Sequence, residues 1–312
     1  MGWDTAGHLP FLPTPLKSMR ITTIGIIYLL LLLTTPVRGE GVLLVQSLSI
    51  PPYERAVEGF RQIMTAPVSV ILVNEMKRDQ VVAEVRQQRP QVIVAVGADA
   101  LNKVARIRDV PIVYLMVLNP EAAMALNNNI TGVNMMVAPS FQLAAIRRQL
   151  PEASRIGIIV GHGRLASLQR EIHPVARELH FEIVAREIRS PQEIPSALAS
   201  LSGRVDLLWL IPDPEVVTLE TIEFLMLFSP QNRVPIVTFS ERHLSLGAFL
   251  AIEPEPMEMG RQAAEISLKL LAGYTPRNIV CTNAREGQLH LNQRVAKKLG
   301  LSGDEGSMNR VR

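Results

Sequence analysis

The sequence predicts an α/β protein made of two parallel sheets, and three observations carry that reading. Short, continuously apolar runs rich in Val, Ile and Leu alternate with amphipathic stretches, as strands covered on both faces alternate with crossover helices. After Asn129 the rhythm restarts with a second set of similar size. The 312 residues are enough for two cores, and Cys281 is the only cysteine, so no disulfide within the chain holds them.

Taken in order, residues 1–18 are Pro-rich and carry only Asp4 and Lys17 as charges. Residues 19–41, MRITTIGIIYLLLLLTTPVRGEG, read as an export signal. Arg20 supplies the basic start, residues 24–33 the apolar run, and Val37, Arg38 and Gly39 the small-residue exit. Met19 is the expected start, cleavage is expected after Gly39, and the mature chain then begins at Glu40. The apolar run is shorter than the roughly 20 residues that span a bilayer, and Pro36 ends it, so removal is expected over anchoring. No cysteine follows to take a lipid.

Strands are expected at residues 41–46 (GVLLVQ), 68–73 (VSVILV), 91–96 (QVIVAV) and 111–117 (PIVYLMV). Tyr53, Val57, Phe60 and Met64 recur at helical spacing, and Asp79 reads as the N-cap of a helix carrying Val81, Val82 and Val85. The second set has strands at 155–160 (RIGIIV), 181–186 (FEIVAR), 205–211 (VDLLWLI) and 234–239 (VPIVTF). Residues 130–136 and 247–253 read as extended pieces carrying the chain between lobes. Met257, Met259, Ile266, Leu270 and Leu271 form a helical core stripe, with Arg261 beside it either contacting a partner or, as the favoured reading, solvated. The expected division is 40–132 with 253–273 as the first lobe, 133–252 with 274–302 as the second, and 303–312 as a disordered tail.

The net charge of +3 is small, residues 1–39 carry three basic and one acidic side chain, and no Lys/Arg cluster or basic-aromatic run is present. A nucleic-acid role therefore has no electrostatic support. Ligands of open parallel sheets bind beyond the carboxyl ends of the strands, where the turns here are polar. Those turns supply the candidate ligand contacts Ser49, Tyr53, Glu54, Ala98, Asp99 and Asn119 in the first half. In the second half they supply His162, Arg164, Asp213, Ser240 and Glu241. Tyr53 fits core packing as well as ligand stacking, Glu54 fits a first-turn acid, and Asp99, Asp213 and Glu241 fit helix caps.

A competing motif is Gly161-His162-Gly163-Arg164-Leu165-Ala166, a GxGxxA between a strand and a helical pattern. With Glu187 near the end of the next strand, it matches a dinucleotide fingerprint or, more simply, a tight turn. The histidines lack HExxH or CxxC companions, so no metal is expected. The stretch His243-Leu244-Ser245-Leu246-Gly247 lacks the first glycine of a nucleophile elbow. No catalytic residue and no cofactor are expected.

The residues also resemble a known family, the periplasmic substrate-binding proteins of ABC transporters, in the group that includes tryptophan and phenylalanine binders. Pro51, Glu54 and Gly59-Phe60 stand at that family's spacing after the first strand. VPIVYLMVLNPEAA followed by NITGVN, RIGIIVGHGRLAS, VDLLWLIPDPEVV and the run from VPIVTFSERH to EISLKLLAG resemble its later signatures in one order, and HLNQRVAKKLGL its ending. The resemblance implies a type I periplasmic-binding-protein fold, each lobe a parallel sheet flanked by helices, with a ligand cleft between the lobes. It implies a monomeric, periplasmic, non-enzymatic protein that captures a small molecule such as an amino acid by hinge closure and delivers it to an ABC permease. The chain departs from the family at Asn119-Pro120, where Asp-Pro is usual, at Ala98-Asp99, where Thr-Pro is usual, and at Gly161 to Arg164, where an Asn-rich turn is usual. An aromatic amino acid is therefore not fixed as the ligand. A ligand-sensing or scaffold module of a signalling system is the alternative, and a nucleotide-dependent oxidoreductase the more distant one.

Overall fold

The computed structural model describes residues 41–118 and 120–301. The expected export signal, Asn119 and the expected tail lie outside the described residues. The first half runs β1 (Val42–Gln46), α1 (Pro51–Ile63), β2 (Val68–Leu72), α2 (Arg78–Gln88), β3 (Val92–Val96), α3 (Ala98–Val104), β4 (Ile112–Leu115), α4 (Glu121–Leu126) and β5 (Ile130–Val137). There follow α5 (Pro139–Gln149), β6 (Arg155–Gly161), α6 (Leu165–Glu178), β7 (Glu182–Ile188), α7 (Ile194–Leu201), β8 (Leu207–Trp209), α8 (Ile222–Asn232) and β9 (Ile236–Thr238). The chain closes with α9 (Arg242–Leu246), β10 (Leu250–Pro254), α10 (Pro256–Leu271), β11 (Thr282–Ala284), β12 (Gly287–Leu291) and α11 (Gln293–Leu299).

These strands form two six-stranded sheets of matching order, β11-β5-β4-β3-β1-β2 and β12-β10-β9-β8-β6-β7. Every pairing is parallel except β10 with β12. Each sheet has a core on both faces. In β1, Val42 and Leu44 face α1 and α10, whereas Leu43 and Val45 face α2 and α3, and none of the four is more than 1% exposed. Period-two geometry places alternate residues in different cores, which is why the strand reads as continuously apolar. Burial of each such side chain is worth about 1.5–3 kcal/mol. In the second lobe, Ile156, Ile158, Val160 and Trp209 build one core and Ile159, Leu208 and Ile236 the other.

α1 starts on Pro51 and Pro52, whose fixed φ suits a first turn, and buries Ala56, Val57, Gly59 and Phe60. It packs on α10 at an unusually close crossing. A Cβ on Gly59 would lie 2.0 Å from Met257 O, and one on Gly260 would lie 1.9 Å from Ala56 O, so only glycines permit it. On α10, Met259, Ile266 and Leu270 are buried, while Met257 and Leu271 are half-buried. Arg261 is paired, donating to Gln62 and lying 3.4 Å from Glu258.

Several sequence expectations change. Strand 68–72 is an edge strand with Ser69, Val70 and Leu72 exposed, and β7 is likewise an edge strand and only partly buried. Asp79 lies inside the first turn of α2, not at its N-cap. Lys77 takes that position because its backbone N–H donates to the Gln80 side chain at 2.7 Å. Within 274–302, β11 pairs with β5 of the first sheet and only β12 joins the second, because the chain crosses once more between them. β5 leads from the first sheet into α5, whose Phe141, Leu143 and Ile146 enter a second-lobe core. β10 leads from the second sheet into α10, which packs in the first. Three crossings therefore join the lobes. No helix among the described residues is long and apolar enough to cross a membrane.

Candidate functional site

Each sheet reverses its strand order once, between β1 and β3 and between β6 and β8. At such a switch point the loops leave in opposite directions and open a crevice beyond the carboxyl ends of the strands. The first crevice is built from Ser47, Tyr53 and Gly97. Ser47 is buried, and its Oγ accepts from the Ala100 N–H at 2.8 Å, which fixes the start of α3. Gly97 has φ of 92°, and a Cβ there would lie 2.7 Å from both Ser47 Oγ and the Tyr53 hydroxyl. The Tyr53 ring thus leans on the switch point, and burial pushes its phenol up.

Glu54, exposed in the first turn of α1, accepts from Ser49 Oγ at 2.8 Å and Gln46 Nε2 at 2.9 Å. The bonds from Ser49 and then Gln46 hold its carboxyl below the usual range, so it is charged at neutral pH. Ala98 is the exposed first residue of α3. Asp99 pairs with Lys103 at 2.7 Å, and the same ammonium donates to Val73 O at 2.6 Å, so Asp99 braces α3 against the end of β2. Asn119 is outside the described residues.

The second crevice follows β6. Gly161 N–H donates to Asp213 Oδ2 at 2.9 Å, His162 N–H to Glu215 Oε2 at 3.1 Å, and Gly163 N–H to Glu187 Oε1. These are the amides a dinucleotide pyrophosphate would need, and the chain's own carboxylates occupy all three. The GxGxxA is a turn, with Gly163 at φ of 77°. Asp213 has a fully buried side chain that also accepts from Glu215 N–H at 2.9 Å and lies 3.3 Å from Arg164 Nη1. It holds the half-exposed Arg164 guanidinium at the rim of the crevice, beside the exposed His162. Glu215 escaped the sequence reading, since nothing in Asp213-Pro214-Glu215 shows which acid faces the neighbouring turn. Ser240 is half-buried, its carbonyl accepting from His243 N–H at 3.1 Å. The adjacent exposed Glu241 donates its N–H to Glu253 Oε1 at 2.9 Å.

The crossing strands carry a hydrogen-bond chain between the lobes. The buried Tyr114 hydroxyl donates to Asn134 Oδ1 at 2.6 Å, Asn134 Nδ2 to Asn283 Oδ1 at 3.2 Å, and Asn283 Nδ2 to Glu171 Oε1 at 2.6 Å. Tyr114 is on β4, Asn134 on β5, Asn283 on β11 and Glu171 on α6 of the second lobe. A cavity of about 630 Å³ lined by Met226, Leu227, Arg233, Leu246, Gly247 and Leu299 is elsewhere. Arg233 and Gly247 precede β9 and β10, so this cavity opens at the amino ends of those strands, opposite the switch point.

The ABC transporter substrate binding protein family matches residues 68–309. A tyrosine-binding protein of Clostridioides difficile is 23% identical over 202 residues, which are 62% of this chain and 58% of that relative. The chain thus matches less than two thirds of that relative's length. The ligand-free, open structure of a substrate-binding protein with adhesive properties from Clostridium difficile aligns with a TM-score of 0.61 at 17% identity, covering 86% of this chain and 97% of that one. An ABC domain in complex with L-Trp from Streptococcus pneumonia aligns with a TM-score of 0.50 at 17% identity and the same coverages. Those structural likenesses carry the two-lobed fold, and the match over most of the sequence carries the family. The chain belongs to the ABC transporter substrate-binding proteins, a family of binding proteins and not of enzymes.

Proposed function

We propose that this protein is an exported, monomeric solute-binding component of an ABC importer, that it takes an amino acid between its two lobes, and that it hands this solute to a permease. One observation carries the ligand class: the rim of the first switch point presents an exposed anion, Glu54, and the rim of the second a half-exposed cation, Arg164, while the acids behind Arg164 (Asp213, Glu215 and Glu187) are engaged by backbone amides. The first lobe presents Glu54, kept ionised by Ser49 and Gln46, and the second presents Arg164, held at the rim by Asp213. A zwitterion bridging the lobes would set its ammonium at Glu54 and its carboxylate at Arg164, with Tyr53 against its side chain. The names of the relatives agree with this class, since one is a tyrosine-binding protein and another was solved with L-Trp. Of the other candidates, Ser49 acts through Glu54 and Asp213 through Arg164. Ala98, Asp99, His162, Ser240 and Glu241 line the surrounding turns, and Asn119 stays a candidate on its sequence position alone.

Calorimetric titration with the common amino acids tests this reading. Binding is expected for at least one, with Glu54→Gln and Arg164→Gln each weakening it about 10-fold to 100-fold, as loss of a hydrogen bond to a charged group does. Binding that survives both substitutions unchanged would refute the zwitterion bridge.

A further inference from the structure

We propose a zinc site in the second lobe, formed by Glu241, Glu253 and His290. The three residues come from the turn after β9, the end of β10 and the end of β12. In the antiparallel pairing of β10 with β12, Ala251 faces His290 and Glu253 faces Gln288. Directly opposed residues share a face, so His290 and Glu253 are diagonal neighbours on one face, with the small Ala251 leaving room between them. The β9 turn brings Glu241 over the same spot, because its backbone N–H is bonded to Glu253 Oε1 at 2.9 Å. That bond uses one oxygen of Glu253 and turns the other towards His290, as outer bonds to ligating carboxylates do.

The separations suit a shared cation better than direct hydrogen bonds. His290 Nδ1 lies 3.6 Å from Glu241 Oε1, and Nε2 lies 3.9 Å from Glu253 Oε2, both beyond hydrogen-bond length. One donor atom from each of the three residues fits within 4.8 Å. An imidazole gives one nitrogen to one metal, so only one of these two contacts becomes a ligand pair directly; drawing three donors that lie within 4.8 Å of one another to the about 3.4 Å between two ligands on a tetrahedral Zn²⁺, each roughly 2.1 Å from the metal, takes side-chain rotation. An independent sign comes from the imidazole: His290 Nε2 is a buried atom with no hydrogen-bond partner, an arrangement that costs free energy unless something fills it. The neighbouring His243 is engaged elsewhere through Nδ1, 2.6 Å from Thr238 Oγ1, so His290 supplies the imidazole. One imidazole with two carboxylates is a nitrogen and oxygen set that favours Zn²⁺ over Ca²⁺ or Mg²⁺, and a fourth position is left for water. The bound cation would tie the β9 turn to β10 and β12, the strands next to two of the lobe crossings. No sequence motif marks the site, because its ligands come from three separated segments.

Titration of the full chain with ZnCl₂ alone, in metal-free buffer without any amino acid, tests the site independently of the zwitterion bridge. The expected result is one Zn²⁺ per chain, with affinity reduced at least 10-fold in His290→Gln and in Glu253→Gln and unchanged in His173→Gln, which removes an exposed histidine of α6. Glu241→Gln, on an exposed turn, serves if either strand variant fails to fold, and a 10-fold loss is expected there too. X-ray absorption of the zinc-loaded protein should show nitrogen and oxygen ligands only. Absence of zinc binding by the parent protein, or parent-like affinity in His290→Gln or Glu241→Gln, would overturn the proposal.

Discussion

Asp213 and Asp99 are both acids in a strand-to-helix turn, and the structure gives them unequal weight. Asp213 is buried under two backbone N–H groups and the Arg164 guanidinium. Asp213→Ala would strand those donors and is expected to cost about 1–3 kcal/mol of stability, read as a lower denaturation midpoint. Asp99→Ala removes only an exposed pair with Lys103 and should stay within about 0.5 kcal/mol. Equal losses would mean that the Asp213 turn is not braced as described. Asp206 offers a pH test. Burial works against its charge, but bonds from Arg155 and from the backbone and hydroxyl of Ser154 outweigh it and hold the carboxyl well below its ordinary 3.8. A depressed carboxylate adds stability above the unfolded pKa, and that stability is lost as pH falls through the folded value. The stability gap between the parent and Asp206→Asn should therefore be widest near neutrality, begin to narrow near about pH 4 and go on narrowing as pH falls further. A gap constant with pH would contradict it. The sequence marked the turns that hold Tyr53, Glu54, Arg164 and Asp213, because polar residues after apolar runs are visible in one dimension. It did not show that Asp213 accepts from the Gly161 amide, that Glu215 and Glu187 accept from those of His162 and Gly163, or that His290 lies near Glu253. Those are pairings between distant segments.

At the scale of elements, eight strands were legible as apolar runs. The two crossing segments, 130–136 and 247–253, are β5 and β10 give or take a few residues. β11 (TNA) and β12 (GQLHL) were not, because they are short and polar and gain their order only from β5 and β10. β2 misled in the other direction: VSVIL has the composition of a covered strand but occupies an edge. The α1–α10 crossing is the element-level contact most open to test. Gly260→Ala would drive a methyl group into the Ala56 carbonyl and force the helices apart. Overpacking of this kind is expected to cost about 1–3 kcal/mol despite alanine's better helix propensity. A Gly260→Ala variant as stable as its parent in chemical denaturation would show that the crossing is looser than drawn.

At the scale of the molecule, two similar sheets with separate cores are joined by three crossings, and the proposed capture of a solute uses these crossings as its hinge. The Tyr114-Asn134-Asn283-Glu171 chain spans that hinge, so its last link is where a change in lobe angle would be felt. Open and closed forms that differ by a few kcal/mol can be rebalanced by a solute that touches both lobes. The repeated rhythm in the sequence showed the two lobes. It could not show their three-fold connection, since a crossing is a property of strand pairing and not of composition. Small-angle scattering, with and without a saturating amino acid chosen by titration, tests capture between the lobes most directly. A smaller radius of gyration in the bound sample is expected, and an unchanged radius despite demonstrated binding would contradict closure of the lobes around their solute.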